Sequence, residues 1–132
     1  KVITLNDTLS SSLAVLNALK ANELVALLGD RDLFGKGIPV RFFGQTVFFP
    51  IGPALLAHLS EAALIPTFVL LGPKDKYLCR AEPAIELQRT GNRDGDLAVN
   101  TQRIATLTEK FIRSYPDQWY TFYDYFSKHK VS

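Results

Sequence analysis

Methionine is absent from this 132-residue chain, cysteine and tryptophan occur once each, and histidine twice. A lone cysteine, Cys79, has no partner for an internal disulfide and no second thiol for a zinc pair, so a disulfide scaffold and a zinc ribbon are both excluded. It is expected to behave as a small buried apolar residue. Long apolar runs are missing too. The longest, around Leu64 to Leu71, falls far short of the roughly 20 residues that span a bilayer. Charge of one sign is also scarce: the net charge is +2, with no block long enough for a polybasic tail or a nucleic-acid stripe. No nucleic-acid partner is therefore expected. Lys1 in place of a start methionine, with no secretory signal pattern behind it, leads to the expectation of a processed chain or a piece of a longer one.

What is present suits a folded core. Apolar residues make up 47% of the chain and charged residues 21%, and the length fits a single domain over residues 1–132. Leu5 to Leu19 reads as a helix, with start signals at Asn6, Asp7, Thr8 and Ser10, an apolar face at Leu9, Leu13, Leu16 and Leu19, and a stop at Asn22. Leu24-Val25-Ala26-Leu27-Leu28, closed by Gly29, has the pattern of a strand buried on both faces. Helix followed by buried strand is half of an α/β crossover. After a glycine-bearing loop to Gly37, a strand is expected over Ile38 to Phe43. A short helix over Ala54 to Ala63 follows, then a buried strand over Ile65 to Leu71 joined by a hairpin to Lys76 to Glu82. Thr90 to Asp96 reads as a loop, and Leu97 to Tyr115 as an amphipathic helix ended by Pro116. The resulting fold class is α/β, a mixed sheet flanked by helices.

Four places could carry chemistry. Asp30-Arg31-Asp32 follows the first expected strand, and ligands of open α/β sheets gather at the carboxyl ends of strands. Two carboxylates around a guanidinium can orient a hydroxyl or a phosphate, or can simply form a local ion pair in a solvated turn. Arg41-Phe42-Phe43-Gly44 puts a cation inside an apolar stretch, where it needs a counter-charge from a ligand or from Asp30 or Asp32. The phenylalanines at 42, 43, 48 and 49 could line an acyl groove or pack an ordinary core. His58 precedes Glu61 by three residues on the expected short helix, but no third partner is implied, and a boundary histidine is the commoner case. The aromatic segment Tyr115 to Phe126 either seals the core or sits at a membrane–water interface. No phosphate-loop, dinucleotide or metal signature is present, so no cofactor and no metal are expected.

In order, Leu27-Leu28-Gly29-Asp30-Arg31-Asp32, Gly37-Ile38-Pro39-Val40-Arg41-Phe42-Phe43-Gly44, Gly52-Pro53-Ala54-Leu55-Leu56-Ala57, Ile65-Pro66 and Tyr115-Pro116-Asp117-Gln118-Trp119-Tyr120 resemble the second half of the bacterial lipid A biosynthesis (lauroyl/myristoyl-type) acyltransferases. The resemblance covers roughly residues 15–125. It implies the C-terminal half of an acyltransferase-type domain in the lysophospholipid acyltransferase-like superfamily. Such enzymes move a fatty acyl group from an acyl-carrier-protein or coenzyme A thioester to a hydroxyl of a lipid or glycolipid, with the histidine of an H-x4-D/E motif as general base. His58 is followed five positions on by Ala63, and His129 has too few residues after it, so the family's catalytic motif is expected upstream of Lys1. No catalytic residue is assigned. Asp30, Arg31, Asp32, Arg41, Phe43 and Gly44 are the expected substrate-binding residues. The resemblance also implies an acyl-carrier protein or acyl-coenzyme A and a lipid acceptor as partners, peripheral membrane association, and a place in the cytoplasm or on the cytoplasmic face of the inner membrane. The competing expectation is a non-catalytic lipid- or ligand-binding α/β module. Exposed strand edges favour self-association under either reading.

Overall fold

The computed structural model describes residues 2, 3, 8–32 and 35–129. The start signals at Asn6 and Asp7, and Leu33 and Phe34 of the glycine-bearing loop, lie outside these residues. Helix α1 spans Thr8–Lys20. It ends where expected: Asn22 adopts φ +60°, Glu23 N–H donates to the Ala18 carbonyl, and Asn22 N–H donates to that of Leu19. These two bonds form a Schellman closure, and asparagine tolerates the left-handed position better than most residues. The buried face is not the leucine face. Ser11, Val15 and Ala18 point inward, Leu16 and Leu19 are half-buried, and Leu13 is exposed. Small residues on that side allow α1 to lie against helix α2, which spans Gly52–Ser60 with Pro53 in its first turn.

The core is built on a hairpin, β1 (Ile38–Phe42) with β2 (Gln45–Phe49), antiparallel with Val40 opposite Val47 and Phe42 opposite Gln45. Alternation puts Val40, Phe42, Val47 and Phe49 inside and Arg41 outside. Burying each of the two phenylalanines contributes about 1.5–3 kcal/mol. Strand β2 was not foreseen, because Gln45-Thr46 breaks the apolar pattern and Pro50 follows at once. Strand β1 stops one residue short of the expected Phe43, and Phe43 and Gly44 are both among the expected substrate-binding residues. They form the two-residue turn, with φ +50° and +77°, the signature of a primed hairpin turn.

Helix α3 (Arg93–Ser114) packs across β1 through Leu97, Ile104, Ala105 and Ile112. It starts four residues before the expected Leu97, since Asn92 caps it by accepting from Gly95 N–H at 3.3 Å. The second hairpin pairs β3 (Thr67–Leu71) with β4 (Tyr77–Ala81), Val69 opposite Cys79. It docks on α3 through Phe68, whose ring stacks on Phe111 with centroids 3.8 Å apart. A last short helix, α4 (Tyr125–His129), closes over β2.

The α/β class therefore stands, built from helices and two antiparallel hairpins. Two buried strands do not. Leu24 to Leu28 forms no strand, with Leu24 93% and Leu28 78% exposed and Val25 half-buried. Among the described residues no strand lies beside it, so its amides have no ladder and most of its side chains no cover. The expected crossover is not formed. Strand β3 is likewise mostly exposed, with only Leu70 buried, because none of the described residues covers the outer face of its hairpin. Cys79 is free and exposed on that face, not buried.

Candidate functional site

Gly29 to Asp32 carries the three adjacent charged residues, and the aromatic segment after α3 holds them in place. The Trp119 indole N–H donates to Asp30 Oδ2 at 3.0 Å. The Tyr125 hydroxyl donates to the Asp30 carbonyl at 2.8 Å. Arg31 Nη2 donates to the Tyr120 carbonyl at 2.5 Å, and Arg31 Nε lies 3.4 Å from Asp30 Oδ2. One carboxylate oxygen thus receives an indole N–H and faces a guanidinium, while the backbone behind it is tied by a phenol. Burial, and then the nearby Asp30 charge, push the Tyr125 hydroxyl well above the ordinary tyrosine range, so it stays a donor.

Asp32 serves a different purpose. Its Oδ2 accepts from Gly37 N–H at 2.8 Å and its Oδ1 from Lys36 N–H at 3.2 Å, which closes the loop into β1. A Cβ at Gly37 would fall 2.6 Å from the Phe49 carbonyl oxygen and 2.8 Å from Asp32 Oδ2. Only glycine allows the loop to lie this close to β2.

The Trp119 and Tyr125 rings also belong to the core. Phe42 lies 6.0 Å from Trp119 and 5.8 Å from Tyr125, centroid to centroid. The aromatic segment is accordingly both seal and clamp. Tyr120 and Phe122 turn outward, with Phe122 93% exposed, while the Tyr123 ring is 37% exposed and lies 6.4 Å from that of Tyr125.

Arg41 does not join this cluster. It stands on the exposed face of β1, its Nη1 3.4 Å from Thr46 Oγ1 across the hairpin, and among the described residues no ion pair reaches it. The expected Asp30 or Asp32 counter-charge is absent because alternation directs residue 41 away from the core. Its backbone is gripped instead: Gln102 of α3 accepts from Arg41 N–H at 2.7 Å and donates to the Arg41 carbonyl at 2.9 Å. Phe43 is similarly occupied by the fold, while Gly44 is exposed at the tip of the turn. Phe43 N–H donates to Glu109 Oε2 at 2.7 Å, Glu109 Oε1 accepts from Arg113 Nη2 at 2.7 Å, and the Arg113 guanidinium sits 4.8 Å over the Phe43 ring. A left-handed non-glycine residue costs about 1–2 kcal/mol. One hydrogen bond to a carboxylate and one cation–π contact offset a cost of that size. The Phe43 amide and then Arg113 hold the Glu109 carboxyl below its usual range.

His58 lies in the last turn of α2 with Nδ1 buried and without a hydrogen-bond partner, and Glu61 falls beyond the helix in a left-handed cap, so the two do not form a pair. Arg89 donates to the Ala57 and His58 carbonyls at 3.0 and 3.1 Å, closing that helix end. Nearby, Asp96 is fully buried. Burial would raise its pKa, but bonds from Thr90 and Gln88, at 2.8 to 3.1 Å, outweigh it and hold the carboxyl below its usual range. Sequence reasoning placed residue 96 in a loop and missed this network; Asn92 three residues before Gly95 was the available signal. An open groove of about 980 Å³ runs between residues 82–86 and α3, past Ile85, Val99, Arg103 and Lys110. It is separate from the Asp30 cluster, none of whose residues line it. Among the described residues no group of three or more His, Cys, Asp or Glu is placed to hold a metal, and no helix is long and apolar enough to cross a membrane.

Comparison of the sequence with known proteins identifies a family. The chain is 33% identical over 102 residues to the phosphatidylinositol mannoside acyltransferase of Mycobacterium tuberculosis (strain H37Rv), covering 77% of this chain and 30% of that protein. It is 32% identical over 102 residues to the phosphatidylinositol mannoside acyltransferase of Mycolicibacterium smegmatis, covering 77% of this chain and 32% of that protein. The chain thus spans about a third of the length of the curated relatives it matches. The profile of the bacterial lipid A biosynthesis acyltransferases matches residues 3–128, and the chain belongs to that family.

Proposed function

We propose that this chain supplies the acceptor-binding part of an acyltransferase that moves a fatty acyl group from an acyl-carrier-protein or coenzyme A thioester to a hydroxyl of a lipid or glycolipid. In that reaction the hydroxyl oxygen forms an ester bond with the acyl carbon, the carbon–sulfur bond breaks, and the hydroxyl proton ends on the thiol. The observation that supports the reading is the Asp30–Arg31 pair. Its guanidinium is oriented by the Tyr120 carbonyl and Asp30, yet its side chain keeps 31% of its exposure, as a group awaiting a phosphate or polar headgroup does. Asp32 closes the loop that follows the pair, whereas Phe43 and Gly44 form the β1–β2 turn and Arg41 is an exposed cation on the outer face of β1, outside this cluster.

General-base catalysis is assigned to no residue of this chain. The H-x4-D/E spacing does not occur at His58, which Ala63 follows five positions on, and the His58 Nδ1 is enclosed at the end of α2. On this reading the parent reaction would run in the cytoplasm or at the cytoplasmic face of the inner membrane, where a thioester donor and a lipid acceptor are within reach.

The test uses the chain alone and the chain grafted in place of the matched stretch of the Mycolicibacterium smegmatis relative. Both are incubated with a radiolabelled long-chain acyl-coenzyme A and phosphatidylinositol mannoside. The chain alone is expected to transfer nothing, and Arg31→Ala is expected to lower kcat/KM of the graft by about a hundredfold, the order of one lost charge-assisted contact. Turnover by the chain alone that His58→Ala removes would refute the reading, and a graft indifferent to Arg31→Ala would remove Arg31 from the site.

A further inference from the structure

The exposed aromatic tip at residues 120–123 is the surface the proposed reaction leaves unused. Tyr120 is 54%, Phe122 93% and Tyr123 37% exposed, although the rings on either side of them, Trp119 and Tyr125, pack into the core. From this juxtaposition we infer that Tyr120, Phe122 and Tyr123 form a membrane-docking tip, with Phe122 entering the acyl region of a lipid surface and the two tyrosines resting at headgroup level. The inference rests on the acyltransferase reading, which makes the surface to be met lipid and Arg31 its headgroup site.

Three observations favour a bilayer over a protein partner here. First, the residue types match the interface: phenols carry an apolar body and a polar end, and a lone projecting Phe has no polar atom to desolvate. Second, the tip is short and turned on itself, with Thr121 N–H donating to the Trp119 carbonyl at 3.1 Å, so that only the Phe122 side chain has to leave the polar headgroup layer. The other exposed apolar segment, Leu24 to Leu28, is a longer stretch without ladder partners among the described residues, and hydrocarbon cannot satisfy a bare backbone. That segment suits a neighbouring strand, not a lipid surface. Third, the tip is continuous with the site. The Tyr120 carbonyl holds Arg31, and Trp119 holds Asp30, so a lipid met by Phe122 has its headgroup beside the guanidinium.

Charge has a small part in the docking. Asp117 and Asp124 flank the tip, and the Asp124 carboxyl is held below its usual range by bonds from Ser127, so it stays anionic. Anionic lipid is therefore not required, and docking is expected to vary little with salt.

The experiment is sedimentation of the full chain with phosphatidylcholine vesicles, without any acyl donor, so that its outcome is independent of turnover. Wild-type chain is expected in the lipid pellet. Phe122→Asp is expected to lower the partition coefficient about tenfold or more, the effect of withdrawing much of one phenylalanine from an apolar phase. Its urea midpoint should be unchanged, because the side chain has no fold contacts to lose. Leu24→Asp should leave partition as in wild type, and brominated acyl chains should quench Phe122→Trp more strongly than the parent chain. Equal partition of Phe122→Asp and wild type would overturn the inference, as would loss of binding in Leu24→Asp or no wild-type binding at all. Loss of acyl transfer in the Arg31→Ala graft with vesicle binding retained would leave the tip standing and speak only to the headgroup site.

Discussion

Replacing Trp119 by Phe removes the one indole N–H that donates to Asp30 while keeping an aromatic ring against Phe42. A hydrogen bond to a charged acceptor contributes about 1.5–3 kcal/mol when buried. Asp30 keeps 24% of its side-chain exposure, so water takes over part of the bond and about 1 kcal/mol is the appropriate figure. The smaller ring adds about 1 kcal/mol for lost packing in a partly collapsible space. Trp119→Phe is therefore expected to destabilise the chain by about 2 kcal/mol, shifting the urea midpoint down by roughly 1 M for a slope near 2 kcal/mol/M. The packing part is independent of Asp30 and the bond part is not, which a double-mutant cycle separates. Trp119→Phe with Asp30→Ala should show a coupling of about 1 kcal/mol, read from urea unfolding followed by far-UV circular dichroism. Additivity within about 0.3 kcal/mol would mean that the indole N–H contributes nothing, and the clamp on the Asp30–Arg31 pair would have to be abandoned.

Gly37→Ala should cost about 1–3 kcal/mol by thermal unfolding, because its Cβ meets the Phe49 carbonyl oxygen at 2.6 Å and the loop must move off β2; an unchanged midpoint would show that the loop yields freely. Asp96 has a folded pKa below its unfolded value of 3.8, so its contribution is present above that pH and is lost as pH falls through the lower folded value. Asp96→Asn should flatten that acid limb in urea midpoints measured across pH 2 to 7, and an identical limb would exclude the network as its source. Tyr125 is shifted the other way: its contribution is full below about pH 10 and declines as pH rises above it, so Tyr125→Phe should be less sensitive to alkali than the parent chain. Leu24→Asp should change stability by no more than about 0.5 kcal/mol, since the side chain is 93% exposed; a large loss would mean that the segment is covered in solution.

Much of this chain follows from short-range chemistry. The Schellman end at Asn22, Pro53 in the first turn of α2, the stop at Pro116 and the β3–β4 hairpin depend on neighbours a few residues apart, and each was visible as a residue pattern. The family, too, was readable from ordered segments such as Leu27 to Asp32 and Tyr115 to Tyr120. What spacing could not supply was pairing across the fold. Leu24 to Leu28 has the composition of a buried strand, but burial requires a second strand, and composition says nothing about whether one stands beside it. Arg41 and Asp30 lie eleven positions apart in sequence and were offered as partners, yet strand alternation sends the arginine outward while Trp119, eighty-nine positions away, takes the aspartate. The turn at Phe43 is held in a left-handed conformation by Glu109, on a helix that no local rule links to it. Local signals determined where several helix ends and turns fall and to which family the chain belongs. Only the tertiary structure decided which charges meet, because hydrogen bonds and ion pairs act over a few ångströms and are chosen by packing, not by distance along the chain.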